Sequence, residues 1–210
     1  MHFAISVRSS LAGLVLFTSV IAAFAQAQSE IDLSQDPRRE WSSLAQGRTE
    51  FEISDPALVP SRLALAAKQA GCRYQDQIGQ APLQFVKVKS RRLAIVACFG
   101  IPDTQMVFDL SNLQRPRVLE FPVLAPAGGF GTTASPGRIT WNKEAGTFQT
   151  QISSDLLPTI RLRYAYRFND TYEIDSPFVI ERAEAQWTPG PDEWTPIWEA
   201  KPWSFPARPK

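Results

Sequence analysis

Between Leu83 and Trp187 the apolar residues return at every second position, in short runs with no helical segment between them. Residues 159–168 show it best. Ile160, Leu162, Tyr164, Tyr166 and Phe168 share one parity, while Arg161, Arg163 and Arg167 hold the other. Such alternation makes a strand with one buried and one wet face, as antiparallel sheets require. Residues 83–88 and 93–99 flank the polar Lys89-Ser90-Arg91-Arg92 and read as a hairpin. Met106, Phe108 and Leu110 form another run, and residues 118–123 a further one, where Pro122 marks an edge or a bulge. Ile139 and Trp141 lead into a turn over residues 142–146, after which Phe148, Thr150 and Ile152 alternate. Asn169-Asp170 turns the chain toward Tyr172 and Ile174, and residues 178–187 make the last run, with Glu181 and Arg182 near its middle. About eight short strands at this spacing predict a mainly β fold, an antiparallel sandwich or an open barrel. A parallel α/β sheet needs helices between its strands, and none is present.

Two short helices precede the strands. Asp36-Pro37 supplies an N-cap and a first-turn proline for a helix that carries Trp41 and Leu44 inward and stops at Gly47. A second helix starts after Asp55-Pro56 or after Pro60. Leu63, Ala66, Ala67 and Ala70 recur in it at helical spacing, and Gly71 closes it just before Cys72.

The first residues have a different character. An apolar stretch over residues 11–24 follows Arg8, and no further charge appears until Glu30. Ala23-Phe24-Ala25 and Ala25-Gln26-Ala27 offer small-residue cleavage sites, before Gln26 and before Gln28. The expected organisation is a secretory signal at 1–25, a loose polar segment at 26–35 and one β-rich domain at 36–210. A membrane anchor would want roughly 20 apolar residues, and this core is shorter. The expected location is therefore periplasmic or secreted.

Cleavage alters the chemistry. The single His is His2, so the mature chain has none; losing Arg8 takes Lys+Arg from 22 to 21 against 21 Asp+Glu, a formal charge of zero. A neutral chain lacks the cationic surplus that nucleic acid rewards. Without imidazole, Ser-His-Asp and Cys-His nucleophiles and His-bearing zinc sites are excluded. No cofactor or metal is expected. Cys72 and Cys98 remain, and an even count in an oxidising compartment reads as a disulfide. A metal or redox pair is the alternative, but it lacks further ligands and the Cys-x-x-Cys spacing.

Carboxylates are the remaining acid–base groups. Asp103, Asp109, Asp155, Asp170, Asp175, Glu181 and Glu184 are available, yet no spacing pairs two of them across a cleft as glycan hydrolysis demands. Gly128-Gly129-Phe130-Gly131-Thr132 lacks the lysine and helix of a phosphate loop. It reads as a connection, or as a recognition loop over residues 125–137 that displays Phe130. Asn169-Asp170-Thr171 matches a glycosylation sequon and equally a hairpin turn. Trp187, Trp194, Trp198 and Trp203 place four of the six tryptophans near the end of the chain, among prolines. Such rings either stack on a ligand or cover one end of the sheet.

Gly71-Cys72, Leu93 to Gly100, Arg115-Pro116-Arg117 with Phe121-Pro122, Gly146-Thr147-Phe148 and Trp194-Thr195-Pro196-Ile197-Trp198 together resemble an exported proteobacterial family known as domain of unknown function eleven-seventy-six. The chain departs from that pattern at Ile101-Pro102-Asp103 and in having no cysteine in its C-terminal half. The resemblance implies a periplasmic location and a Cys72–Cys98 bridge, and it implies no activity. The reading that follows is a non-enzymatic binding module of the cell envelope, with an envelope protein or a glycan as partner. A carboxylate-dependent enzyme on cell-wall glycan and a structural envelope-maintenance protein are the alternatives. N-terminal sequencing of the chain recovered from the periplasm of an expressing bacterium should begin at Gln26 or Gln28; recovery with Met1 still attached would refute the export reading.

Overall fold

A computed structural model describes residues 31–98, 104–125, 128–153, 159–169 and 176–201. The expected signal, Asp103, Asp155, Asp170, Asp175, the Tyr172–Ile174 run and Trp203 lie outside those residues.

Helix α1 (Pro37–Ala45) begins as its residues require, with the Asp36 carboxylate accepting the Arg38 N–H at 3.0 Å. Of the two starts offered for the second helix, Asp55-Pro56 caps only a short 3-10 turn (Pro56–Leu58), and α2 (Ser61–Gln69) follows Pro60. Gly71 ends it with φ +74°, which brings the Cys72 N–H to the Ala67 carbonyl at 2.9 Å and the Gly71 N–H to that of Lys68 at 3.1 Å. That closure is open to glycine because it has no Cβ to clash. It leaves Cys72 facing Cys98, with the two Sγ atoms at disulfide distance, 2.01 Å. Closing the loop between them contributes about 3 kcal/mol in the chain-entropy account. Residues 31–35, the described part of the segment expected to be loose, form no helix or strand but make contacts. Ile31 packs against the helix-side core, and the Leu33 carbonyl accepts from Arg62.

Strands β1 (Glu50–Ile53), β2 (Leu83–Val88), β3 (Arg91–Ala97), β4 (Gln105–Asp109) and β5 (Arg117–Leu119) form one antiparallel sheet in that order. Strands β6 (Phe121–Leu124) and β7 (Phe130–Thr133) pair as a hairpin. A second antiparallel sheet contains β8 (Arg138–Asn142), β9 (Thr147–Ser153), β10 (Ile160–Phe168), β11 (Phe178–Trp187) and β12 (Thr195–Glu199), ordered β12-β11-β10-β9-β8. Of the two architectures the sequence predicts, the protein adopts the sandwich, without a closed barrel.

The first sheet is buried on both faces. Phe51, Leu83, Phe85, Val96 and Phe108 meet Trp41 and Leu63 of the helices. Val86, Leu93, Ile95 and Val107, at the other parity, meet Phe148, Tyr164, Tyr166 and Ile180 of the second sheet. Aromatic rings fill both layers: Phe51 stacks on Phe85 at 4.7 Å with Trp41 edge-on to Phe85 at 5.4 Å, and Phe178 lies between Phe121 and Phe148. Such contacts add to the apolar burial that holds the layers together.

Four segments differ from the sequence reading, and one is β12, which lies past the run at 178–187 that reads as the last. The Glu-Phe-Glu-Ile run of β1 escaped it, being only four residues long. Residues 118–123 are not one strand, for Glu120 divides β5 from β6 and the chain leaves the first sheet there. Residues 125–137 are not wholly loop, because β7 lies within them.

The β6 backbone is held from below by two tyrosines of β10. The Tyr166 hydroxyl donates to the Pro122 carbonyl at 3.0 Å, and the Leu124 N–H donates to the Tyr164 hydroxyl at 3.3 Å. Burial pushes both phenols above their ordinary pKa. The two sheets are also joined at a corner. The Gln105 N–H donates to the Gly137 carbonyl at 3.0 Å, and the Ile139 N–H to the Gln105 side chain at 2.6 Å.

Gly137 at this corner has φ +92°, and a Cβ there would lie 2.1 Å from the Gln151 carbonyl oxygen. Neither backbone can yield without breaking the joint. Gly137→Ala should therefore lower unfolding free energy by at least about 2 kcal/mol, from the left-handed cost plus the clash, as measured by urea denaturation. Unchanged stability would mean that the corner is not as tight as described.

Candidate functional site

The outer face of the second sheet gathers the polar residues that the inner face cannot accept. On β10, Arg161, Arg163 and Arg167 point outward, as the alternation predicts. Their partners come from β11, where a β-bulge leaves Glu181 unpaired between Arg182, opposite Ala165, and Ile180, opposite Tyr166. The extra residue changes the phase. Phe178 and Ile180 face inward before it, Ala183 and Ala185 after it. Glu184 thus reaches the outer face, where strict alternation from Phe178 would have put it in the core.

Glu184 is the centre of the arrangement. Its side chain is only 7% exposed, and it accepts from Arg163 at 2.6 Å and, through its other oxygen, from Arg182. Burial pushes its carboxyl up, but the Arg163 hydrogen bond and the charges of both arginines outweigh that and hold it below its ordinary value. Arg163 also lies over the Trp194 ring, 4.4 Å from its centre. Arg161 donates to Gln186, whose amide donates to Asp192. These contacts fasten the segment before β12 across the sheet. Beside them lies an open hollow of about 520 Å³, with Thr147, Gln149, Arg163, Arg182, Glu184 and Glu199 among its walls.

The aromatic residues read from the sequence as a possible binding surface, or as cover for one end of the sheet, take different places in the fold. Trp194 lies half-buried on the outer face over Arg163. Trp198 is opposite the inward-facing Ala183 and packs against the inter-sheet core, with exposed Phe130 edge-on at 5.5 Å. Trp187 ends β11 and is 46% exposed. Cys72 and Cys98 lie on the helix side of the first sheet, far in function from any of these. Among the carboxylates, Glu181 meets Arg167 at 3.6 Å and shares the hollow with Glu184, whereas Asp109 is buried with Arg91 at 2.9 Å in the first sheet. The sequence reading missed Glu184 as a centre because the bulge that turns it to the outer face was not read from the alternation. The row of arginines on β10 was the usable signal.

Among the described residues no group of three or more His, Cys, Asp or Glu could hold a metal ion, and no helix is long and apolar enough to cross a membrane. No family model, no curated protein and no solved structure matches the chain.

A depressed carboxyl contributes stability that is present above the ordinary carboxylate range and is lost as pH falls through the folded-state value. Glu184→Gln should lower the melting temperature at pH 7, where it leaves two guanidiniums without their anion. It should also flatten the loss of stability below about pH 4. An acid profile parallel to that of the unaltered protein would show that Glu184 is not held in this way.

Proposed function

We propose that the chain is an exported, non-enzymatic binding module of the cell envelope, and that it takes a glycan in the hollow on the outer face of its second sheet. The observation that carries this reading is the pre-set polar floor, Glu184 locked between Arg163 and Arg182 beneath an open volume of about 520 Å³. Groups fixed before binding cost little ordering when a ligand arrives. Thr147, Gln149 and Glu199 add donors and acceptors around that floor. Sugar hydroxyls are donors and acceptors at once and carry no charge, which suits walls whose cations already have carboxylate partners. A protein partner would want an apolar centre, and the hollow is lined mainly by polar side chains. The resemblance of the short cysteine, glycine and tryptophan motifs to an exported family supports the envelope location.

Hydrolysis of the glycan is disfavoured by the same contacts. A general acid needs a raised pKa, and Glu184 is held down by two arginines. Glu181 in turn faces Arg167.

Isothermal titration of the exported protein with soluble peptidoglycan fragments should show saturable binding without cleavage. The double variant Gln149→Ala/Arg182→Ala should weaken it at least tenfold, and Trp198→Ala, on the inner face, is a poor probe because it disturbs packing. Absence of binding to the fragments, or equal binding by the double variant, would overturn the reading; release of shortened fragments would favour the carboxylate enzyme.

A further inference from the structure

The cations of the protein are unevenly satisfied. On the second sheet Arg163, Arg167 and Arg182 all meet carboxylates. On the opposite layer, where α1 and the segment after β4 lie over the first sheet, several arginines meet none, and two of these share one hollow. Arg38, in the first turn of α1, and Arg92, on β3, form no ion pair with any described carboxylate. Both line one open hollow of about 780 Å³. Arg92 keeps its guanidinium over the Trp41 ring, 5.8 Å from the centre. A cation–π contact of that kind draws the group toward the ring while leaving N–H groups to donate.

Besides the apolar Pro37, Trp41 and Leu113, the wall carries hydroxyl and amide side chains. Ser42 on α1 lines the hollow together with Ser111, Asn112 and Gln114. The wall at residues 111–114 is braced, for the Asp109 carboxylate accepts the Ser111 N–H at 2.8 Å while it holds Arg91 at 2.9 Å, and the Asn112 side chain accepts the Gln114 N–H at 3.0 Å. One acid is present. Asp36 also lines the hollow, but its carboxylate is engaged in capping α1 through the Arg38 N–H at 3.0 Å, and two guanidiniums outnumber it.

We propose that this hollow is a second binding site, independent of the glycan reading, and that its ligand carries a phosphate group. Two guanidiniums from different elements, with hydroxyl and amide donors beside them, suit an anion whose three or more oxygens point in different directions. A planar carboxylate would use one side only. The phosphate comes from a soluble ester or from a phospholipid headgroup. A phospholipid's acyl chains would stay outside, because the apolar crevice that adjoins the hollow at Pro37, Trp41 and Leu113 has room for only about 10 Å³.

The test uses the exported protein at low ionic strength, followed by nitrogen-15 NMR. Inorganic phosphate should saturably shift the Arg92 Nε–H and the amides of residues 111–114, and the shifts should weaken as salt rises. Arg38→Gln/Arg92→Gln should weaken phosphate binding at least tenfold. Arg38→Gln alone, at an exposed helix position, should weaken it measurably without touching the Trp41 contact. In a second arm the protein is floated with phosphatidylglycerol vesicles and with phosphatidylcholine vesicles, both of which carry phosphate. Retention that depends on Arg38 and Arg92 assigns the headgroup as source, and binding of free phosphate without retention assigns a soluble ester. No saturable shift, or identical shifts in the double variant, would overturn the proposal.

Discussion

A sheet that must be covered on both sides governs the rest of this molecule. Of the seven residues of β3 only Arg92 is exposed, and in β4 only Gln105 escapes full burial. Each apolar face removes surface from water at roughly 25 cal/mol per Å², so neither side can be left bare. The helices take one side with Trp41, Leu63 and Ala67, and the second sheet takes the other with a ring-filled layer. Because α1 and α2 are short, nine residues each, they hold their places by packing and by the Cys72–Cys98 tie rather than by helix propensity.

That layering determines where binding chemistry can sit. Both inner spaces are filled by side chains, so recognition is left to the two outward surfaces, which differ in charge balance. The second sheet presents a network in which guanidinium and carboxylate groups satisfy one another around Glu184. On the helix layer Arg38 and Arg92 meet no described carboxylate. A nearly neutral chain therefore does not have a uniformly neutral surface, and its net charge alone says little about what either face attracts.

The extent to which this was legible in the sequence follows the range of the interactions concerned. Strand alternation, the Asp36 cap and the Gly71 stop depend on residues a few positions apart, and those elements appear where their residues predict, as does the cysteine pairing. What depends on partners distant in the chain was not readable. The split at Glu120 is decided by two tyrosine hydroxyls from β10 that take up the backbone of β6. The strict need for glycine at 137 comes from the carbonyl of Gln151. The tryptophans near the end of the chain look like one cluster because they are close in sequence, but the strand carries Trp198 to the inner face while Trp194 is held on the outer one by Arg163.

The bulge at Glu181 has a further consequence. Remove that residue and the strand returns to plain alternation, with Phe178, Ile180, Ala183 and Ala185 still inward and Arg182 and Glu184 still outward. No side chain would change sides. What would go is the bend that a surplus residue imposes on its strand, at the place where Glu181, Arg182 and Glu184 line the hollow. The shape of that surface is thus set by a count of backbone units, and a relative one residue shorter here could keep the same chemical groups on a flatter sheet.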